Sequence, residues 1–515
     1  MSVGERAPAS LAQDSRFAKR ESVFANIIGV ALCIAGAGMA VCALVERLDG
    51  GPDAAALLTS GLVVGVPGLA LWRRTVAPSR LSTATIFASA LTAWVTLSLV
   101  GTIPYLATGV VHRFDLALFE SVSGFTTTAS TVLTGLDSLG KGILLWRAMT
   151  QWFGGISIVV FLVSVLPFLH SSGIEHLGGV APQTGERLAP RVRETAKRLV
   201  LLYLAFTVVV GVLYRAFGMS SFDAVAHSFT TVSTGGFSTH DKSFAYFHSA
   251  ALQWTAIVAM ILAGGNFALY WRALRGKPFA IIRSVEFRVY IALIALVGLA
   301  AVISNALHQG WSAGLVRRTL FTTVSISTTT GYRLLNFDRW SGSVQLLLIF
   351  AMTVGAMAGS TGSGFKVYRL MGIVGHVRRH VFRQLHPRAV PVVRIGREVV
   401  PEVVISRILG FFGLFMGIGA TATIAVAALG GLDLRTAIGA VTTSIGNVGI
   451  GLGRLGPGHT YLAVTSGVRF VLMAVMLTGR LEIYPVLLGL VPLARSISDR
   501  LPPRLGQALV RLGRG

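Results

Sequence analysis

The chain is short of cysteine, of charge and above all of acid. Its 515 residues include two cysteines, Cys33 and Cys42, both inside one apolar run. A disulfide scaffold and a cysteine-rich metal site are therefore excluded, and core packing is the reading that remains. Charged residues make up 13% of the sequence, against roughly 25% in soluble domains. With 53% hydrophobic residues and a mean hydropathy of +0.70, this is the composition of a polytopic helical membrane protein. The 21 acids face 45 Lys and Arg, a net charge of +24. The basic residues gather in the links between apolar runs, which is the pattern of cytoplasmic loops and not of a nucleic-acid surface. No Walker motif is present. The acids sit mainly at span ends and half-span starts, so a membrane enzyme, the competing class, has no converging catalytic set. No small-residue cleavage site follows the first apolar run, so residues 1–22 read as a cytoplasmic N-terminus ahead of a retained span.

What the sequence does have is a repeated motif. Ser325-Ile326-Ser327-Thr328-Thr329-Thr330-Gly331-Tyr332 sets hydroxyl residues and a Gly-aromatic exit between two long apolar runs. Glycine permits positive φ and threonine keeps its neighbours extended. That suits a backbone with carbonyl oxygens turned inward in a row, which can replace a cation's water shell. Thr234-Gly235-Gly236-Phe237, Thr329-Thr330-Gly331-Tyr332 and Asn447-Val448-Gly449-Ile450 align on their third residue, and Thr127-Thr128-Ala129-Ser130 joins them with Ala129 in the glycine's place. Positions 129, 236, 331 and 449 lie 107, 95 and 118 residues apart, and each interval holds two apolar runs and a basic link. The repeating unit is a span, a half-span with a Ser/Thr/Gly exit, and a second span, four times over.

The domain organisation follows. Residues 23–80 form a transmembrane hairpin, with spans at 23–45 and 54–72 and Arg73, Arg74 and Arg80 behind them. Pore repeat 1 (81–185) has spans at 84–108 and 142–169 about a half-span from Phe114-Asp115, with Asp115 as its N-cap. Pore repeat 2 (186–280) has spans at 199–217 and 250–271 about a half-span from Phe222-Asp223. Pore repeat 3 (281–397) has spans at 289–307 and 344–374 about a half-span from Ser312. Pore repeat 4 (398–492) has spans at 405–429 and 463–491 about a half-span from Asp433, and residues 493–515 are a basic cytoplasmic tail. The links carry Arg187, Arg191, Arg193, Lys197 and Arg198, then Arg272, Arg275, Lys277 and Arg283, then Arg378, Arg379, Arg383, Arg388, Arg394 and Arg397; the tail carries Arg495, Arg500, Arg504 and Arg511. The expected fold is all-α: ten transmembrane helices and four re-entrant hairpins, with both termini cytoplasmic. Re-entrant backbone must be covered by protein or line water, so the four hairpins share a pore, and their helix dipoles favour a cation there.

Other residues stand out. Gly355, Gly359, Gly362 and Gly364, with Ser360, Thr361 and Ser363, interrupt the third return span; they unwind it or pack it closely through Gly-x-x-x-Gly. Arg480 lies inside an apolar run and faces a cavity or pairs with Glu482 or another carboxylate. Lys366 faces the lower cavity or snorkels to the interface. Asp137, Asp241 and Asp338 follow filter stretches and concentrate cations at the mouth or are ordinary loop acids; Arg333 opposes such a funnel.

The runs Gly124-Phe125-Thr126-Thr127-Thr128, Ser233-Thr234-Gly235-Gly236-Phe237-Ser238-Thr239-His240-Asp241, Gly359-Ser360-Thr361-Gly362-Ser363-Gly364-Phe365-Lys366 and Gly479-Arg480-Leu481-Glu482-Ile483-Tyr484 resemble those of the Trk/Ktr/HKT superfamily of potassium transporters, and within it the bacterial Trk membrane subunit, from about residue 20 to 492. The resemblance implies a K⁺-channel-like homodimer in the bacterial inner membrane, partnered by membrane lipids and a cytosolic ring of nucleotide-binding (NAD/ATP-type) subunits. It implies a filter at Thr127, Thr128 and Ala129; Thr234, Gly235 and Gly236; Thr329, Thr330 and Gly331; and Asn447, Val448 and Gly449. It makes Gly359, Ser360, Thr361, Gly362, Ser363, Gly364 and Lys366 with Arg480 the gate. K⁺, with Na⁺ as the alternative, is the transported ligand, held by filter carbonyls, with no covalently bound cofactor and no nucleic acid. Family members most often have glycine where this chain has Ala129, and plant relatives with serine there pass Na⁺. Alanine at positive φ is disfavoured by roughly 1 kcal/mol, so its peptide is expected to turn away from the ring.

Overall fold

An apolar run of twenty residues has no polar stripe to offer water, so its backbone satisfies itself as a helix in apolar surroundings. The computed structural model describes residues 20–76, 83–170 and 188–498; Arg80, Arg187, Arg500, Arg504, Arg511 and most of the 1–22 segment lie outside them. Among the described residues six helices are long and apolar enough to cross a membrane: Val23–Leu48, Ala54–Arg74, Ala84–Ala107, Glu194–Ala216, Val285–Gln309 and Glu402–Gly430. The number is eight if two bent pairs count as one span each. Side chains such as Val63, Val208, Leu296 and Ile424 stand exposed on them, a surface for lipid and not for water.

The first two helices pack along a seam of small residues. A Cβ on Gly36 would lie 2.6 Å from Gly65 Cα, so the contact there is backbone to backbone. Ser22 caps the first helix by accepting the Ala25 N–H, and the two outer ends meet where Arg20–Glu21 pairs in parallel with Thr75–Val76. A second short pair, Arg394–Ile395 with Glu398–Val399, is antiparallel. These are the two described departures from an all-helical chain.

Four short helices occupy the half-span positions: Phe114–Phe125, Ser221–Val232, Ala313–Ser327 and Leu434–Ile445. Ser220, Ser312 and Asp433 cap the last three through the N–H groups of Asp223, Leu315 and Thr436. Asp115 does not cap the first, contrary to expectation. Its carboxylate accepts from Arg469 at 2.6 Å and 3.1 Å and from Ser466 at 2.9 Å, because bonds from a guanidinium are about twice as strong as those from a neutral amide.

Two return spans are broken where unbroken helices were expected. The run at 250–271 is Ala250–Ala263 and Phe267–Leu274, bent by 98°. Asn266 begins the second piece by accepting the Ala268 N–H at 2.8 Å, and a cap inside an apolar run starts a new helix. The run at 463–491 bends by 106° between Ser466–Leu481 and Ile483–Leu490, at Glu482 with φ +66°. The third return span parts into Gly342–Val354 and Val367–Leu385 around residues 355–366, as its glycines require. The first, Lys141–His170, is continuous.

The seam gives the first testable expectation. Gly36→Leu forces the hairpin apart and lowers stability by about 1–3 kcal/mol, the usual cost of overpacking, whereas Gly417→Leu, where a Cβ meets nothing within 4 Å, leaves the thermal midpoint in detergent unchanged.

Candidate ion-coordinating site

Each short helix runs into three residues of alternating backbone. Thr127, Thr234, Thr329 and Asn447 have φ of +53°, +52°, +59° and +50°, and two residues on, Ala129, Gly236, Gly331 and Gly449 have +65°, +82°, +79° and +95°. A β-branched residue at positive φ is an outlier costing about 1–3 kcal/mol. Three threonines that share it have the geometry imposed on them. The helix ends impose it: Thr127 N–H donates to Gly124 O at 2.9 Å and Thr128 N–H to Ser123 O at 2.8 Å, and the same pair of bonds recurs at Thr234 and Gly235, Thr329 and Thr330, and Asn447 and Val448. Ala129 accordingly takes the glycine conformation. No described donor takes its carbonyl oxygen, and the two bonds before it set the strand that leads into it.

The strands abut one another in order. A Cβ on Gly236 would lie 1.8 Å from Thr330 O, one on Gly331 1.8 Å from Val448 O, and one on Gly449 2.1 Å from Thr128 O. Of the twelve residues all but Ala129 are buried. Among the described residues no donor reaches the carbonyl oxygens of Thr127, Thr128, Ala129, Thr234, Gly236, Thr329, Thr330, Gly331, Asn447 or Val448. Ten strong acceptors thus converge without a protein partner, and such groups are costly unless something cationic or aqueous meets them.

Side chains behind the strands hold them in place. Tyr332 Oη lies 2.6 Å from Thr230 Oγ1 and 2.9 Å from Thr231 Oγ1, tying the third strand to the second short helix. Asn447 Nδ2 donates to Thr128 Oγ1 at 2.9 Å and to Met476 O at 3.0 Å. Buried Arg147 donates to Glu120 at 2.9 Å and to Ser238 O at 2.9 Å, and lies 4.2 Å above the Phe237 ring. Glu120 also accepts from Thr131 Oγ1 and from Val132 N–H, both at 2.9 Å. Sequence reasoning passed over Glu120, Arg147, Gln151 and Arg469, although a charged or amide residue inside an apolar run is itself a signal.

On the exit side the strand ends open into a pocket lined by Ala129, Gly236, Gly331, Gly449, Arg147, His240, Arg333 and Asp241, among others. Arg333, unexplained by the sequence, donates to the Asp241 backbone carbonyl. Asp338 is taken up by Arg435 at 3.0 Å. Asp137 is 2.5 Å from His240 Nδ1, while His240 Nε2 is 3.4 Å from Asp223 Oδ1. The imidazole thus clasps the first exit loop to the second, stacked 3.5 Å above Tyr246.

Below the strands lies the loop 355–366. Gly355, Gly359, Gly364 and Lys366 all have positive φ. Phe365 N–H donates to Thr353 O, Ser360 Oγ to Met357 O, and Ser363 N–H to Thr329 Oγ1 at 3.1 Å. A Cβ on Gly362 would be 3.1 Å from Thr328 O, so the loop sits directly against the third strand. It is latched to the break in the second return span, with Phe267 N–H on Gly359 O at 3.1 Å and Thr361 Oγ1 on Ala263 O at 3.1 Å. Arg480 is 2% exposed and donates to Thr361 O at 2.7 Å, Ser363 Oγ at 3.1 Å and Gly154 O at 3.0 Å. It does not pair with Glu482, which the bend turns toward Arg369 at 2.6 Å. Lys366 does not snorkel: it is 8% exposed and its Nζ turns back to Gly362 O.

Against this geometry the comparisons with known proteins are decisive. A family model described as a cation transport protein, TrkH, matches residues 57–497. The chain belongs to the TrkH family. It is 35% identical over 407 residues to the Trk system potassium uptake protein TrkH of Vibrio parahaemolyticus, covering 78% of this chain and 83% of that one. It is 31% identical over 485 residues to TrkI of Halomonas elongata, covering 92% and 97%. The crystal structure of the potassium transporter TrkH from Vibrio parahaemolyticus superimposes with a TM-score of 0.82 at 33% identity over 90% of this chain and 97% of that one. The TrkH-family chain is therefore a multi-pass helical membrane transporter and not an enzyme.

The clasp is pH-dependent. Burial alone would lower the His240 pKa, but the carboxylates of Asp223 and Asp137 on either side hold it above the ordinary histidine value. Asp137 is held below the usual carboxylate range, where burial is outweighed by its bonds from His240 and Asp241. The clasp therefore stabilises fully below the unfolded histidine pKa of about 6.5 and is lost as pH rises through the raised folded value. His240→Gln should cost about 1 kcal/mol near pH 5.5, as expected of a partly exposed ion pair, and nothing near pH 9, read from thermal midpoints across pH.

Proposed function

We propose that this TrkH-family chain takes up K⁺ across the bacterial cytoplasmic membrane through a pore on its own pseudosymmetry axis. The observation that carries this reading is the convergence of ten filter carbonyls, nine of them on buried residues, that no described donor reaches. Carbonyl rings of this kind exchange for the water shell of a cation at little cost, and the four short helices aim the negative ends of their dipoles at the same place. K⁺ as cargo is supported by the names of the relatives, all Trk system potassium uptake proteins.

In this reading eight of the ten spans and the four re-entrant hairpins form the pore, as repeats 81–185, 186–280, 281–397 and 398–492, with the two spans of the N-terminal hairpin 23–80 outside it. Filter residues Thr127–Ala129, Thr234–Gly236, Thr329–Gly331 and Asn447–Gly449 strip and select the ion. The loop carrying Gly359, Ser360, Thr361, Gly362, Ser363, Gly364 and Lys366 closes the path beneath them. Arg480, a buried cation bonded to that loop, sets the barrier to exit. Both termini and the basic links face the cytoplasm. A homodimer regulated by a cytosolic nucleotide-binding ring completes the proposal. A specific observation favours a second reading, weak discrimination between K⁺ and Na⁺: the Ala129 Cβ lies 3.9 Å from where a Cβ on Gly331 would stand, so its methyl intrudes among the strands.

Flux into liposomes holding the purified protein tests both. K⁺ should enter ahead of Na⁺ under a set potential, and equal rates favour the second reading. Gly236→Ala, which drives a methyl to 1.8 Å from Thr330 O, should reduce flux at least about tenfold by distorting the ring, while Gly417→Ala leaves it intact. Unchanged flux through Gly236→Ala would contradict the pore.

A further inference from the structure

Three strand-to-strand contacts are alike, and at the fourth junction the carbonyl concerned takes a side-chain donor. Thr330 O lies against Gly236, Val448 O against Gly331 and Thr128 O against Gly449. By the same pattern Gly235 O would lie against residue 129. That residue is alanine, and at the three other positions a Cβ would come within 1.8–2.1 Å of the oxygen. Carbonyl and methyl cannot share the space. Gly235 O is found instead 2.9 Å from Gln151 Nε2, and Gln151 Oε1 accepts the Phe237 N–H at 3.0 Å. Gln151 is 0% exposed on the continuous helix Lys141–His170. Its amide clamps the second strand on both sides of Gly236, and each of these buried bonds would be costly to leave unmade.

We propose that Gln151 is a specificity-determining positioning residue that holds the Gly235 carbonyl out of the ring. This deepens the filter reading given above and rests on it. The middle level of the filter then offers three carbonyls, from Thr128, Thr330 and Val448, with the Ala129 methyl beside the vacated quarter. Discrimination among alkali ions depends on the number and field of the coordinating oxygens. A level with three fixed oxygens holds K⁺ less selectively than one with four. Gln151 and Ala129 act together: the methyl keeps the carbonyl from entering, and the amide gives it a place outside.

The consequence is a non-additive pair of substitutions. Ala129→Gly alone leaves Gly235 O on Gln151, and Gln151→Leu alone frees a carbonyl that the methyl still excludes. Each single change should move the K⁺ to Na⁺ permeability ratio, taken from reversal potentials in liposomes, by less than about threefold. The double variant should raise it at least about tenfold over wild type, because four carbonyls then meet the ion. Gln151→Glu, which keeps an acceptor for the Phe237 N–H and removes the donor to Gly235 O, should reproduce the coupling if the leucine variant does not assemble. A double variant equal to the product of the singles overturns the proposal, as does a Gln151 variant that alone matches the double. Absence of any monovalent cation flux through the wild type would instead overturn the pore reading beneath it.

Discussion

Ten carbonyl oxygens, nine of them on buried residues, that no donor among the described residues reaches are the constraint on which the rest of the fold depends. Such a set is unstable in an ordinary protein interior, since each unpaired acceptor carries a desolvation penalty. It persists here because surrounding structure leaves the backbone no alternative. Helix-end bonds donated by the N–H groups of Thr128, Gly235, Thr330 and Val448 to the carbonyls of Ser123, Thr230, Ser325 and Thr443 fix the strands. Tyr332, Asn447, Gln151 and the Arg147–Glu120 pair then hold them from behind. The strain at Thr127, Thr234 and Thr329 is the local cost of that arrangement, and strain of this kind clusters at functional sites, in keeping with the proposed filter.

The same logic runs below the four strands. A charge buried at membrane depth has to be met by polar groups, and Arg480 is met by backbone oxygens of Thr361 and Gly154 and by Ser363 instead of a carboxylate. Carbonyls solvate the guanidinium without neutralising it. The loop that supplies Thr361 and Ser363 is anchored to the bend at Gly264–Asn266, so movement of the helix Phe267–Leu274 and movement of the loop are mechanically joined.

Much of this was legible in the sequence, because a motif repeated four times constrains far more than any one copy. The short helices, their starts at Ser312 and Asp433, and the glycine-interrupted third return span were all visible as local chemistry. The bends at Asn266 and Glu482 were not, since hydropathy averages over a run and is blind to direction; a capping asparagine after two glycines was the available sign. Asp115 misled because its partner, Arg469, lies 354 residues away. Ala129 is read differently once the neighbours are seen: propensity argued against a positive φ there, whereas the residue takes +65° behind the helix-end bonds of Thr127 and Thr128, and it is the Gly235 carbonyl in the neighbouring strand that takes a side-chain donor. Local preference loses to a geometry that several bonds over-determine.

The most direct test is to locate the ion. Crystals or particles of the protein prepared in Rb⁺ or Tl⁺ should show heavy-atom density among the carbonyls of Thr127–Ala129, Thr234–Gly236, Thr329–Gly331 and Asn447–Gly449, weakest at the level from which Gly235 O is turned away. Density absent from these strands, or found only at surface acids, would contradict the account.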